Sequence, residues 1–197
     1  MRLVAAAAAG SLLISSLGGA EMERALALAR ARDAERQQFH HRYLYELPGP
    51  VVTQIEVVTP FRRLVIIGED HVARGDWMFT RGLREAEEAI KPMRDIMTIR
   101  ATIRFNPLNT FIQSPPYTLA LSARASDQLE PIGTNLTPQF SNEFKAPDGK
   151  KLTGSLIGAT LESSFGAGLV GPAARTVAVT LEGKDVGHVR VDFSQLE

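Results

Sequence analysis

The chain has 197 residues, 44% hydrophobic and 22% charged, enough for a core-forming domain and not the composition of a wholly disordered chain. Lys+Arg and Asp+Glu each number 22, so the basic excess of a nucleic-acid-binding protein is missing and no nucleic-acid partner is expected. Cysteine is absent, which excludes disulfides, thiolate metal centres and a cysteine nucleophile.

Residues 1–20 place Arg2 before an uncharged run from Leu3 to Ala20 that ends in the small residues Gly18, Gly19 and Ala20. This is the layout of a secretory signal peptide. The run also lies at the lower edge of bilayer-spanning length, so an uncleaved membrane anchor is the competing expectation. Both put residues 21–197 on the far side of a membrane, at the periplasmic or extracellular face.

Residues 21–47 contain no Gly or Pro and are rich in strong helix formers, so a helical spacer is expected there. Pro48-Gly49-Pro50 ends it and marks a boundary, with residues 48–197 as the main domain. Within that domain, residues 51–59 alternate as a strand, and Arg62–Gly68 is expected to be a second, more apolar one. Leu83, Ala86 and Ile90 have helical spacing, which predicts a short inserted helix over 81–91. Residues 96–105 alternate cleanly, with Met97, Ile99, Ala101, Ile103 and Phe105 facing inward. Asn106–Pro116 is expected to be loop, with an edge segment at Thr110–Gln113. Residues 117–123 alternate again. Asp127–Pro138 is turn-rich, Gln139–Phe144 is a short strand, and Leu152–Phe165 is a long β stretch. Residues 176–181 and 186–193 flank a turn at Glu182–Asp185 as a hairpin. The expected fold is mainly β: an antiparallel β-sandwich, immunoglobulin-like or an open barrel, with an N-terminal helix and one short inserted helix.

Chemistry-bearing motifs are few. His40, His41 and His71 are the metal-ligand candidates, with Glu69 and Asp70 near His71, but their spacing matches no ligand pattern, so no metal and no cofactor is assigned. His188 lies on a polar strand face. Gly166–Gly171 matches GxGxxG by letter, yet Pro172 follows and no helix is expected to receive a pyrophosphate. Glu69, Asp70, His71 and Asp76 form a polar cluster suited to acid–base work, without a partner set that the sequence can fix. Arg62, Arg63, Arg100 and Arg104 suit anions or cross-strand pairing with carboxylates. Asn135 opens a glycosylation-type triplet, expected in a loop.

Two apolar clusters stand out in polar surroundings. Trp77, Met78 and Phe79 are consecutive and cannot all face one core. Leu108, Phe111 and Ile112 sit among prolines in an expected loop. These six residues are the candidates for contact with a partner. The function expected is that of an exported, non-enzymatic accessory or scaffold subunit of a membrane or envelope assembly, bound to other envelope proteins. The alternative is a periplasmic or extracellular ligand-binding protein or hydrolase with its site near Glu69–Trp77.

Overall fold

The computed structural model describes residues 17–123, 127–141 and 154–197, together with the backbone of 144–145 and 151–152. Two helices open it, α1 (Gly19–Ala29) and α2 (Asp33–His41). Strands β1 (Leu44–Glu46) and β2 (Val52–Val58) form a hairpin that leads into α3 (Pro60–Ala73) and α4 (Leu83–Ile90). Then come β3 (Ile96–Arg104), β4 (Tyr117–Ser122), β5 (Gln128–Leu129) and β6 (Gly133–Phe140). A two-residue pair, β7 (Phe144–Lys145) and β8 (Lys151–Leu152), precedes β9 (Leu156–Gly166), the single-turn α5 (Ala167–Val170), β10 (Ala174–Leu181) and β11 (Lys184–Asp192).

The fold is mainly β. A five-stranded sheet has the order β1-β2-β3-β9-β6 and a four-stranded sheet the order β11-β10-β4-β5, with every pairing antiparallel. Neither sheet closes on itself. Alternation explains the central strands: Met97, Ile99, Ala101 and Ile103 on β3, and Ala159, Leu161 and Phe165 on β9, are all buried. They share one apolar cluster with Leu119 and Leu121 of β4 and Val177 and Val179 of β10. The sheets meet again where β11 crosses β2. A Cβ at Gly187 would lie 2.7 Å from the Cβ of buried Val52, so glycine is needed there for the close approach. The β10–β11 hairpin turns on Glu182 (φ 50°) and Gly183 (φ 77°), both left-handed, as a two-residue hairpin loop demands.

Four expectations change. Arg62–Gly68 is helix, not strand. Thr59 caps α3 by accepting the Arg62 N–H at 3.2 Å, Pro60 opens it, and Phe61, Leu64, Val65 and Gly68 bury one helical face. The spacer over 21–47 is two helices and a strand. α1 buries Met22, Ala25, Leu26 and Ala29 against α3, whose Gly68 lets the Ala29 methyl approach closely. The 127–138 turn region holds most of β6, because β9 supplies a ladder partner to residues that have little strand propensity of their own. Thr110–Gln113 forms no strand.

Residues 1–16, which carry most of the expected export segment, lie outside the described residues. Gly19 and Ala20 already belong to α1. Among the described residues, no helix is long and apolar enough to cross a membrane.

Candidate functional site

The molecule has two contrasting ends. β3 starts beside the helices and finishes at Arg104, where the chain enters the 106–116 loop. At the helical end the sequence concentrates charge, and packing of α2 on α3 connects it. Arg62 is almost fully buried, and each of its three guanidinium nitrogens donates a hydrogen bond. Its Nη2 donates to Glu56 at 2.7 Å, Nη1 to the Val57 carbonyl at 2.5 Å and Nε to His40 Nδ1 at 3.2 Å. It also lies 5.0 Å from the centre of the Tyr43 ring. Burial pulls the Arg62 pKa down, and the Glu56 carboxylate counters it. His40 Nε2 lies 3.0 Å from both oxygens of Glu69, and Arg36 stands 3.8 Å from the same carboxylate. From Glu56 the network crosses the polar face of the large sheet: Arg100 lies 3.7 Å away and donates to Glu162 at 2.6 Å. Arg63 donates to Thr98. Cross-strand pairing therefore engages Arg100, as the sequence leads one to expect, whereas Arg62 reaches Glu56 from helix α3.

Beside this network lies a groove of about 320 Å³ lined by Asp33, Arg36, Gln37, His40, Glu69, Asp70 and Ala73. It brings together His40, Glu69 and Asp70. His41 and His71 are not part of it, and among the described residues no three His, Cys, Asp or Glu side chains are placed to hold a metal ion. His71 is engaged elsewhere. It stacks on Phe79 with centroids 3.8 Å apart and 7° between planes, and its Nδ1 pairs with Asp76 at 2.8 Å. The Asp76 N–H donates to the His71 carbonyl at 2.8 Å, so the pair closes the turn after α3. That hydrogen bond from His71 holds the Asp76 carboxyl below its ordinary pKa. His188 pairs with Asp185 along β11, both side chains exposed. Gly166–Gly171 forms the end of β9 and one helical turn.

Trp77, Met78 and Phe79 separate. Phe79 is buried under His71, while Trp77 and Met78 are 53% and 68% exposed. Phe79 is thus a packing residue in this chain rather than a surface contact.

Three uncharged segments contribute to the opposite end. No charged residue occurs between Arg104 and Arg124, between Glu130 and Glu143, or between Lys151 and Glu162. The fold brings parts of these segments together. Asn106 Oδ1 accepts the Leu108 N–H at 2.8 Å and Asn109 Oδ1 accepts the Phe111 N–H at 3.0 Å, two side-chain turns that shape the loop. The Asn109 amide then donates to the Leu156 carbonyl at 3.0 Å and fastens the loop to β9. Phe111 packs edge-on against Phe105 at 5.3 Å, which anchors the loop from below. Leu108 and Ile112 remain 89% and 96% exposed. Ile157 and Pro107 border an adjoining groove of about 320 Å³ with Thr53, Thr102, Arg104 and Gln139. Phe140 ends β6 opposite Leu156.

No known protein family, characterised protein or solved structure matches the chain.

Leu108, Phe111 and Ile112 stand out in the sequence as apolar residues among prolines, whereas Asn106 and Asn109, which hold them, do not. Two asparagines, each two residues before the amide it caps, were the available signal.

Proposed function

We propose that this is an exported, non-enzymatic β protein that docks onto another envelope or membrane protein through its 106–116 loop. The observation that carries the proposal is the near-complete exposure of Leu108 and Ile112 on a loop fixed by Asn109. Two exposed aliphatic side chains on a tethered loop that itself carries no charge suit an apolar contact that has little ordering entropy left to lose. In this proposal the two sheets act as an open β-sandwich, of immunoglobulin-like or barrel type, that carries the tip. Residues 1–20 act as signal peptide or anchor.

The contact is tested by placing a photocrosslinking side chain at Ile112, at Leu108 and, as a control, at Glu88 on α4, in the native host. One discrete adduct from both tip positions and none from Glu88 is the expected result. No adduct at either tip position defeats the proposal. Intact mass in cell fractions tests export: full-length chain confined to the cytosol removes that part.

Small-ligand binding or hydrolysis is the second proposal, and one observation favours it. The groove holding Glu69 and His40 joins a carboxylate and an imidazole beside Arg36 and Asp70. If a ligand binds there, Glu69→Gln abolishes its binding while the tip crosslinks persist.

A further inference from the structure

A second exposed apolar pair lies on the turn between α3 and α4. Trp77 and Met78 are 53% and 68% exposed there. Hydrogen bonds and burial fix the turn around them. Phe79 and Thr80 are buried, the Thr80 hydroxyl donates to the Trp77 carbonyl at 3.1 Å, and the Arg81 N–H donates to the Met78 carbonyl at 3.0 Å. The His71–Asp76 pair closes the other side. A contact made by Trp77 and Met78 therefore has little ordering entropy to lose.

The charge of this turn is one-sided. Residues 74–84 read RGDWMFTRGLR, with Arg74, Arg81 and Arg84 all exposed and Asp76 the sole carboxylate. Asp76 is taken by His71, and among the described residues none of the three arginines forms an ion pair. The nearby carboxylates are committed elsewhere. Glu87 lies 3.7 Å from Arg94 and Glu88 3.9 Å from Lys91, Glu85 curls back over Gly82, and Asp70 lines the groove beside α2.

Two exposed apolar side chains between unpaired guanidinium groups complement a surface that is apolar below and anionic above. The headgroup layer of an anionic bilayer is such a surface. Tryptophan joins an apolar ring to a polar N–H and settles at that layer, and arginine meets phosphate while its stem lies along apolar surface. A folded protein partner would need carboxylates placed opposite three arginines. A fluid headgroup layer supplies phosphate wherever each guanidinium falls.

We propose that the 74–84 turn is a peripheral membrane contact, which sets Trp77 and Met78 into the interface of an anionic bilayer with Arg74, Arg81 and Arg84 on lipid phosphates. The proposal is independent of the 106–116 loop: Ile112→Ser leaves this contact intact.

Trp77 is the sole tryptophan of the chain, so its emission reports this turn alone. The full chain is mixed with vesicles of equal parts phosphatidylglycerol and phosphatidylcholine, and with vesicles of phosphatidylcholine alone. On the anionic vesicles only, the emission is expected to move to shorter wavelength and to be quenched by brominated acyl chains, and added salt reverses both. The double substitution Arg81→Gln, Arg84→Gln is expected to weaken this binding about thirtyfold, about fivefold for each arginine. Both side chains are exposed, so the urea midpoint stays that of the wild type. An unchanged emission on anionic vesicles overturns the proposal, even where the uncharged run Leu3–Ala20 carries the chain to lipid. An equal shift on both vesicle types, or one that the arginine substitutions leave unchanged, also overturns it. So does a photocrosslinking side chain at Met78 that gives a discrete protein adduct and no lipid adduct in the native host, because a protein partner then holds the turn.

Discussion

Arg62 Nε donates to His40 Nδ1 at 3.2 Å, which leaves Nε2 as the protonated nitrogen that faces Glu69. An arginine cannot accept, so the contact fixes the imidazole as the neutral Nε2–H tautomer. The bond also ties α2 to α3 across 22 residues of sequence. Nitrogen-15 spectra are expected to show an unprotonated Nδ1. His40→Ala leaves the buried Arg62 Nε without an acceptor and costs about 1–3 kcal/mol in urea unfolding. A protonated Nδ1 in the native state refutes the assignment.

Tyr43 is the second device at this end. Its hydroxyl accepts the Glu197 N–H at 3.2 Å and donates to a Glu197 main-chain oxygen at 3.3 Å. Burial pushes its pKa from 10.0 up to about 12. The unfolded chain then releases the phenolic proton first, so this contribution to stability is complete below pH 10.0 and is lost between pH 10.0 and about 12. Tyr43→Phe is expected to flatten the alkaline fall in stability over that window. An unchanged slope shows that Tyr43 does not set it.

The Asp76 carboxyl is held low, first of all by its hydrogen bond with His71. Its stabilising contribution is present above the ordinary carboxylate range and disappears as the pH falls through the lowered native value. Carboxyl carbon titration reads this directly. His71→Ala is expected to return Asp76 toward its ordinary value and to leave tip crosslinking unchanged.

Leu108→Ser and Ile112→Ser are expected to change stability by less than about 0.5 kcal/mol, because neither side chain is buried. The tip adduct is lost in both. Asn109→Ala acts differently: it frees the Leu156 carbonyl and the loop together, so amide exchange at 106–112 quickens while the sheets keep their protection. Equal loosening of β3 and β9 would show that the loop supports the fold rather than the contact.

Gly187→Ala introduces a methyl group where Val52 already sits, and is expected to destabilise the protein by about 1–3 kcal/mol in urea unfolding. A neutral result would show that β11 and β2 separate freely.

The strands visible in the sequence are those with one face buried and one wet. β3, β4 and the β10–β11 hairpin alternate for that reason and stand where they are expected. α3 was hidden because Leu64-Val65-Ile66-Ile67 looks like a buried strand. Its start signal, Thr59-Pro60, and the spacing Phe61, Leu64, Val65, Gly68 were weaker than that run. β6 was hidden because both its faces are wet, and only its pairing with β9 makes it a strand. The exposed tip residues were legible as apolar side chains among prolines. The His40–Arg62–Glu69 contact was not, since 22 and 29 residues separate its members from one another and only helix packing joins them.

Arg94 holds the Leu17 carbonyl beside α4, at the helical end. The Asn109-fastened loop is at the other end of β3, a nine-residue strand about 30 Å long. Leu17 and Ile112 are thereby held at opposite ends of the large sheet. The large sheet is the rigid strut between them, and lengthening β3 by a residue pair would change the reach without altering either end.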